Sequence, residues 1–226
     1  MLSRIAGAIL MTGATLNAVD LVKDGVPCAD IVISKHPGPG VLAAAQDLQK
    51  HIRLISGAEL KIVTPEESTM PAKICVGESS CSREAGYAAP EFRGSGYDIW
   101  VKDSRIVLTG PSVLHREEGR AYHGKLAAAT ALKVPGSTEQ PPVVPELGFS
   151  LTDDLGPMHA VSAFLENLGV RFYAPYKNGT IIPRKTTVSV PEGRETREAA
   201  FGIREYRYTS QSTDPEGVLW LKRLKS

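Results

Sequence analysis

The stretch that decides the fold is residues 29–63, ADIVISKHPGPGVLAAAQDLQKHIRLISGAELKIV. Residues 29–34 form a short β-branched run that is typical of a strand, and a second such run closes the stretch at residues 60–63. Between the two runs, apolar residues recur at spacings of three and four, which predicts an amphipathic helix that ends at Gly57. The apolar stripe of this helix consists of Val41, Leu42, Ala45, Leu48, Ile52 and Ile55. The stretch therefore predicts a β-α-β unit.

The rest of the chain extends this unit into a larger sheet. Further strands are predicted at residues 73–76, 97–101, 105–109, 170–173 and 187–190. A second amphipathic helix is predicted from the shared face of Met158, Val161, Phe164, Leu165 and Leu168. Two helices are too few to cover both faces of a large parallel sheet. The predicted fold is therefore α/β (α+β), with a mixed sheet of about six strands, both helices on one face, and the other face left for a partner or solvent.

Two segments depart from this regular alternation of elements. Residues 111–156 combine charged residues, a short alanine-rich piece and several prolines, and a compact domain rarely needs so long a structureless connection. We therefore expect a partly mobile surface insertion there. The tail that begins at Glu192 is rich in charge, and a solvated connector is the simplest interpretation of it.

Composition and charge exclude several classes of protein. The chain has 226 residues, of which 42% are hydrophobic and 23% charged, as in an ordinary globular protein. With 26 basic and 25 acidic residues the net charge is +1, so no overall field attracts the chain to nucleic acid. The 21 glycines and 16 prolines imply many turns and short elements, and this composition argues against a helical bundle.

The first eighteen positions indicate export. Arg4 is their one charged residue, an apolar stretch follows at residues 5–16, and small residues precede Val19. This order is typical of a secretory signal peptide, with a mature N-terminus at about Val19, and the apolar stretch is too short to span a membrane. Cys75 and Cys81 flank a Gly-containing turn, where they would either form a disulfide in an oxidising compartment or serve as two small buried residues.

No catalytic constellation stands out in the sequence. Residues 38–43 match the G-x-G-x-x-A dinucleotide fingerprint between a strand and a helix, but Pro37 and Pro39 remove backbone donors that a pyrophosphate needs. The histidines are dispersed, and only His115 and His123, near Glu117 and Glu118, suggest a metal site, which we do not favour. We therefore predict no catalytic residue, no metal and no cofactor in this chain.

An ordered series of short strings resembles a known family of domains. These strings are residues 43–50 (AAAQDLQK), 55–58 (ISGA), 74–79 (ICVGES), 96–99 (GYDI), 106–110 (IVLTG) and 161–173 (VSAFLENLGVRFY), followed by GTIIP at 179–183. In this succession they resemble the N-terminal accessory domain, similar to chitobiase domain 2, that precedes the catalytic barrel of α-glucuronidase-like and β-hexosaminidase-like glycoside hydrolases. The insertion at 111–156 departs from that pattern.

The resemblance implies a division of the chain and a role. Residues 1–18 would be the signal peptide, 19–200 the accessory domain, and 201–226 the start of a following barrel, here poorly ordered or loosely packed. In the enzymes that the chain resembles, the catalytic acid, base or nucleophile belongs to the barrel. A (β/α)₈ barrel needs about 250 residues, so residues 201–226 could hold only its beginning. The binding partner would be the catalytic barrel or a carbohydrate. We expect neither nucleic-acid binding nor a membrane-spanning segment.

The alternative function is that of a stand-alone carbohydrate-binding protein. Aromatic rings stack on sugar rings, and the candidates for this role are Tyr87, Trp100, Tyr173 and Tyr176, although Trp100 between apolar neighbours also suits the core. Asn178-Gly179-Thr180 is formally a glycosylation acceptor. We interpret it instead as a turn with Gly179 at positive φ.

Overall fold

The central sheet of the domain arises from the alternating apolar runs of the sequence. The computed structural model describes residues 17–92, 96–113, 146–149, 154–175, 177–198 and 215–224. Its helices are α1 (Pro39–Ser56), α2 (Ser80–Glu84), α3 (Gly156–Asn167) and α4 (Pro215–Arg223). Its strands are β1 (Ala18–Lys23), β2 (Val26–Pro27), β3 (Ala29–Val32), β4 (Ile62–Val63), β5 (Ala72–Val76), β6 (Gly96–Lys102), β7 (Arg105–Thr109), β8 (Ser112–Val113), β9 (Asp154–Leu155), β10 (Arg171–Phe172), β11 (Thr180–Ile181), β12 (Val188–Pro191) and β13 (Gly193–Glu198).

Six of these strands form a mixed sheet in the order β13-β6-β7-β5-β3-β4. Strands β7, β5, β3 and β4 run parallel to one another. At one side of them, β6 pairs antiparallel with β7, and β13 pairs antiparallel with β6. A smaller antiparallel sheet has the order β12-β1-β2. The predicted mixed α/β sheet of six strands is thus confirmed.

Successive residues of each strand point to opposite faces of the sheet. On one face, Ile74, Ile106 and Leu108 join the large core that α1 and α3 cover, as predicted for the two long helices. On the other face, Cys75 and Val107 lie in a smaller apolar cluster with Cys81 of α2, Tyr87 and Trp100. The expectation that this second face is left open is therefore wrong at its centre, because α2 and the residues after it cover it.

Helix α1 ends where the sequence predicts. Gly57 adopts a left-handed conformation with φ of 79° and donates its backbone N–H to the Arg53 carbonyl. A side chain other than glycine rarely tolerates this conformation, so Gly57 stops the helix. The stripe that faces the sheet includes Leu48 and Ile52, both fully buried, whereas Leu42 is 40% exposed.

Six of the described strands were not predicted from the sequence, namely β1, β2, β8, β9, β11 and β13, and the two longest of them are β1 and β13. Strand β1 begins at Ala18 and pairs with β12, where Val19 lies opposite Val190. Strand β13 pairs with β6 over its whole length, from Gly193 opposite Val101 to Glu198 opposite Gly96. The interpretation of the tail as a solvated connector is therefore wrong for residues 193–198, while residues 199–214 lie outside the described residues. The run of charged residues in β13 has no apolar alternation, but its backbone forms hydrogen bonds with β6 at the edge of the sheet.

The ends of the 111–156 segment are built into the domain. Strands β8 and β9 pair with each other, and Phe149 is fully buried in the main core. At the start of α3, Gly156 lies directly against the backbone of Gly110, where a larger residue would not fit. Phe149, Leu155 and Gly156 are thus buried in the domain and do not belong to a surface insertion, while residues 114–145 and 150–153 lie outside the described residues.

Helix α4 packs on the domain. Val218 and Leu221 are 1% and 2% exposed, and the helix contacts α3. The expectation of a loosely packed C-terminal segment is wrong for residues 215–224, and residues 201–214 lie outside the described residues. Among the described helices, none is both long and apolar enough to cross a membrane.

Candidate functional site

Two of the predicted ligand-binding aromatic residues, Trp100 and Tyr173, lie among the described residues. Trp100 lies in β6 on the α2 face, where it is half-buried and its ring centroid is 5.8 Å from that of Tyr87. Tyr173 is 68% exposed and follows Phe172, which belongs to the large core on the other face. Tyr176 lies outside the described residues. Trp100 and Tyr173 are therefore two separate positions, and only Tyr173 offers a largely free ring.

A buried carboxylate organises the sheet face that carries Trp100. Asp98 is fully buried in β6, and Arg194 of β13 donates to both its oxygens, from Nε at 3.1 Å and Nη2 at 2.9 Å. The hydroxyl of Tyr87 donates to Asp98 Oδ2 at 2.7 Å, and Thr196 donates to Oδ1. Burial, followed by the bond to Asp98, raises the pKa of Tyr87. The network joins β13 to the segment after α2.

A disulfide bond fixes the start of the same segment. Cys75 of β5 and Cys81 of α2 are bonded, with their Cα atoms 6.2 Å apart, which decides the alternative that the sequence left open. Cys28 is a free thiol and is half-buried. Disulfides persist mainly in oxidising compartments, so this bond is what an exported domain would carry.

The second buried carboxylate holds helix α4. Arg223 donates to Asp47 of α1 from Nε at 3.0 Å and from Nη2 at 2.6 Å, and both side chains are almost fully buried. The guanidinium also lies over the ring of Phe172, 5.2 Å from its centroid. His51 Nδ1 is 2.8 Å from the Asp47 carbonyl oxygen and 3.3 Å from Oδ1. We call Asp47, His51, Phe172 and Arg223 the helix latch.

The latch keeps its carboxylate ionised. Burial by itself would raise the pKa of Asp47, but the hydrogen bond from His51, together with the charge and hydrogen bonds of Arg223, outweighs burial and holds this pKa well below its usual range. The same pairing raises the pKa of Arg223 against the effect of its burial. The pair is therefore charged at any pH at which the domain is expected to work.

The sequence carries a signal for each of the buried carboxylates Asp98 and Asp47. Asp98 interrupts an otherwise apolar strand, and a charge in such a place needs a partner. Asp47 and His51 are four residues apart and therefore share a face of the helix. Neither signal identifies the partner, because Arg194 and Arg223 come from distant segments.

Other residues of the chain pack against the loop that matches the dinucleotide fingerprint. A Cβ on Gly40 would lie 2.5 Å from Leu155 Cδ2, and Pro39 packs against Gly148. The backbone N–H groups of Val41 and Leu42 already donate to the carbonyl of Gly38. The space beside the glycines of the fingerprint is therefore taken by Leu155 of β9 and by Gly148.

The remaining candidates for chemistry are scattered. His159 is buried in α3, and His115 and His123 lie outside the described residues. Within the described ranges, no three His, Cys, Asp or Glu residues are grouped so that they could hold a metal ion. The third buried carboxylate, Asp30, accepts hydrogen bonds from Ser68, Thr69 and Met70 and so holds the loop before β5.

Comparisons with known proteins found one kind of similarity. No family model matches the chain, and no curated protein matches it either. Among solved structures, a family GH115 4-O-methyl-α-glucuronidase with specificity for decorated arabinogalactans matches with a TM-score of 0.47 and 16% sequence identity. The match covers 80% of this chain but 18% of that enzyme's chain. The chain thus spans less than a fifth of the length of the protein it matches.

Proposed function

We propose that this chain is a non-catalytic accessory domain of an exported glycoside-hydrolase-like protein, which supports or packs against a catalytic barrel. The observation that carries the proposal is the helix latch. Helix α4 lies within residues 201–226, the part that the sequence resemblance assigns to the start of the following domain. The latch joins that part to α1 through a buried, doubly hydrogen-bonded ion pair.

A latch of this kind suits a supporting role. An exposed ion pair contributes little and allows its partners to move, whereas a buried bidentate Arg–Asp pair has one favoured geometry. Because Val218 and Leu221 are buried beside Arg223, helix α4 is positioned by apolar packing as well as by charge. Whatever continues from α4 would therefore start from a defined place and direction on the domain.

Export is the second part of the proposal. The leader-like residues 1–18 and the Cys75–Cys81 disulfide both suit an oxidising compartment outside the cytoplasm. N-terminal mapping of secreted material should find a start near Val19. Secreted chain that retains Met1 would contradict this part without touching the accessory role.

Hydrogen exchange on the purified chain tests the supporting role. Amides of residues 218–223 should be protected about as well as those of α1 and should lose protection in Arg223→Met. The matched control is Arg53→Met, because Arg53 forms an exposed ion pair with Glu59. Rapid exchange of α4 in the unmodified chain would overturn the proposed supporting role, and so would turnover of aryl glycosides or glucuronoxylan fragments by the chain itself.

A second candidate function rests on Tyr173. This residue is 68% exposed beside the β10–β11 ribbon, and an exposed aromatic residue offers a stacking surface for a sugar. In this case the chain would be a carbohydrate-binding protein in its own right. Glycan-array binding that disappears in Tyr173→Ala and persists in Tyr173→Phe would favour this candidate over the first.

A further inference from the structure

A row of basic side chains crosses one end of the central sheet. Lys73 of β5 lies opposite Arg105 of β7, and Arg105 lies opposite Lys102 of β6. Residues in register on neighbouring strands project from the same face. These three side chains lie on the α2 face, because the positions two residues along, Cys75 and Val107 among them, form its apolar cluster. We call Lys73, Arg105 and Lys102 the basic row.

The basic row is costly to the sheet. Neighbouring strands are about 4.8 Å apart, so the three residues leave the sheet within a span of about 10 Å. Like charges directly opposite one another destabilise a sheet. Among the described residues, none of the three has a carboxylate within ion-pair distance. Arg105 donates only to the carbonyl oxygens of Pro71 and Ser104.

Three acidic residues adjoin the row: Asp103 follows Lys102 in the turn, and Asp30 and Glu192 lie at its two ends, where they accept other hydrogen bonds. Asp30 lies opposite Lys73 on β3, but its Oδ2 accepts bonds from residues 68–70. At the other end, Glu192 accepts the backbone N–H of Asp103 with Oε1. Asp30 and Glu192 bracket the row but do not pair with it.

The row is open to solvent and has an aromatic residue beside it. Lys102 is exposed, and Lys73 and Arg105 are partly exposed. Trp100, two residues before Lys102, lies on the same face and is also partly exposed. A ligand that meets the row would therefore find three cationic donors and the accessible part of an indole ring.

We propose that the basic row binds an anionic glycan, one whose sugars carry carboxylate or sulfate groups. The unpaired like charges favour a polyanion by charge complementarity, and Trp100 favours sugar rings next to the anionic groups. A nucleic acid suits the row less well, because the chain has a net charge of +1 and a pI near 7.7, and such binders usually have a far more basic domain. The choice of a glycan rests on the carbohydrate-active role proposed above.

The test uses the full chain and two pairs of substitutions that change the net charge equally. Binding to immobilised polygalacturonate and chondroitin sulfate is measured at low and at physiological ionic strength, with dextran as the neutral polymer. Lys73→Gln/Lys102→Gln should weaken binding by about twenty-fivefold, since each cation near an anionic surface contributes about fivefold. Lys23→Gln/Lys50→Gln, with both lysines exposed elsewhere, should change it less than twofold.

Added salt should weaken polyanion binding by the unmodified chain more steeply than binding by the Lys73/Lys102 variant, because salt screens two cationic side chains that the variant lacks. Preference for one of the two polymers identifies carboxylate or sulfate as the recognised group. Equal losses in the two double variants, equal binding to dextran, tighter binding to duplex DNA, or no binding to either polyanion would each overturn the proposal. None of these results alters the hydrogen-exchange test of the latch, so the two proposals fail separately.

Discussion

Replacement of Arg223 by Met is the sharpest test of how the domain holds its last helix. The side chains of Arg223 and Asp47 are 6% and 4% exposed, so the substitution leaves a carboxylate in a site almost without water. Breaking a buried ion pair from one side costs about 3–5 kcal/mol, because the remaining charge is uncompensated. We expect a loss of this size in the free energy of unfolding at pH 7, from urea titrations monitored by circular dichroism.

The cost should depend on pH in a defined direction. The pKa of Asp47 in the folded chain lies below its unfolded value of about 3.9, so the stabilisation by the latch is complete above that value and is lost as pH falls toward the folded pKa. In Arg223→Met, burial should bring the pKa of Asp47 upward. The gap in unfolding free energy between the unmodified chain and the variant should therefore narrow as the pH is lowered through the raised pKa of Asp47 in the variant.

A compensating variant separates charge from packing. Asp47→Leu/Arg223→Met removes both charges, and an apolar replacement of a buried pair is often neutral or stabilising, so most of the loss should be recovered. A loss below about 1 kcal/mol in Arg223→Met, with unchanged protection of α4 against hydrogen exchange, would refute the reasoning. Loss of protection in α4 alone would show that the helix detaches and lets water reach Asp47.

Three further changes probe the fold. Cys75→Ser/Cys81→Ser should lower the free energy of unfolding by about 2 kcal/mol, as loop closure predicts for so short a loop, and reducing agent should then have no further effect on urea unfolding. Phe164→Ala should cost about 3–5 kcal/mol, because this side chain is 2% exposed, and a thermal midpoint equal to that of the unmodified chain would contradict its place in the core. Gly179→Val should destabilise the domain because a Cβ would collide with the Ala174 carbonyl oxygen; a neutral thermal scan would contradict this close approach.

The reason for the glycine at position 179 differs from the one predicted. Gly179 ends a 3₁₀ turn, Lys177–Gly179, and is absent from the described residues that have positive φ. The expected left-handed turn is therefore wrong, although a glycine is still required. The place where a Cβ would stand is taken by Ala174, five residues earlier in the chain.

Local periodicity was enough to predict the elements that bury an apolar face. Helices α1 and α3 and strands β5, β6 and β7 were predicted because burial repeats with the period of the element itself. Gly57 was predicted as the end of α1 because only the local backbone decides that conformation. Strand β13 was missed because backbone pairing with β6 holds it, and backbone pairing leaves no mark on the side-chain pattern.

The tertiary structure alone decided which charges meet. Asp98 and Arg194 are 96 residues apart in the chain, and Asp47 and Arg223 are 176 residues apart. Their pairing depends on the register of β6 with β13 and on where α4 packs, and the basic row depends in the same way on the register of β5, β7 and β6. Hydrophobic burial is recorded residue by residue along the chain, whereas an electrostatic site exists only once distant segments have been brought into register.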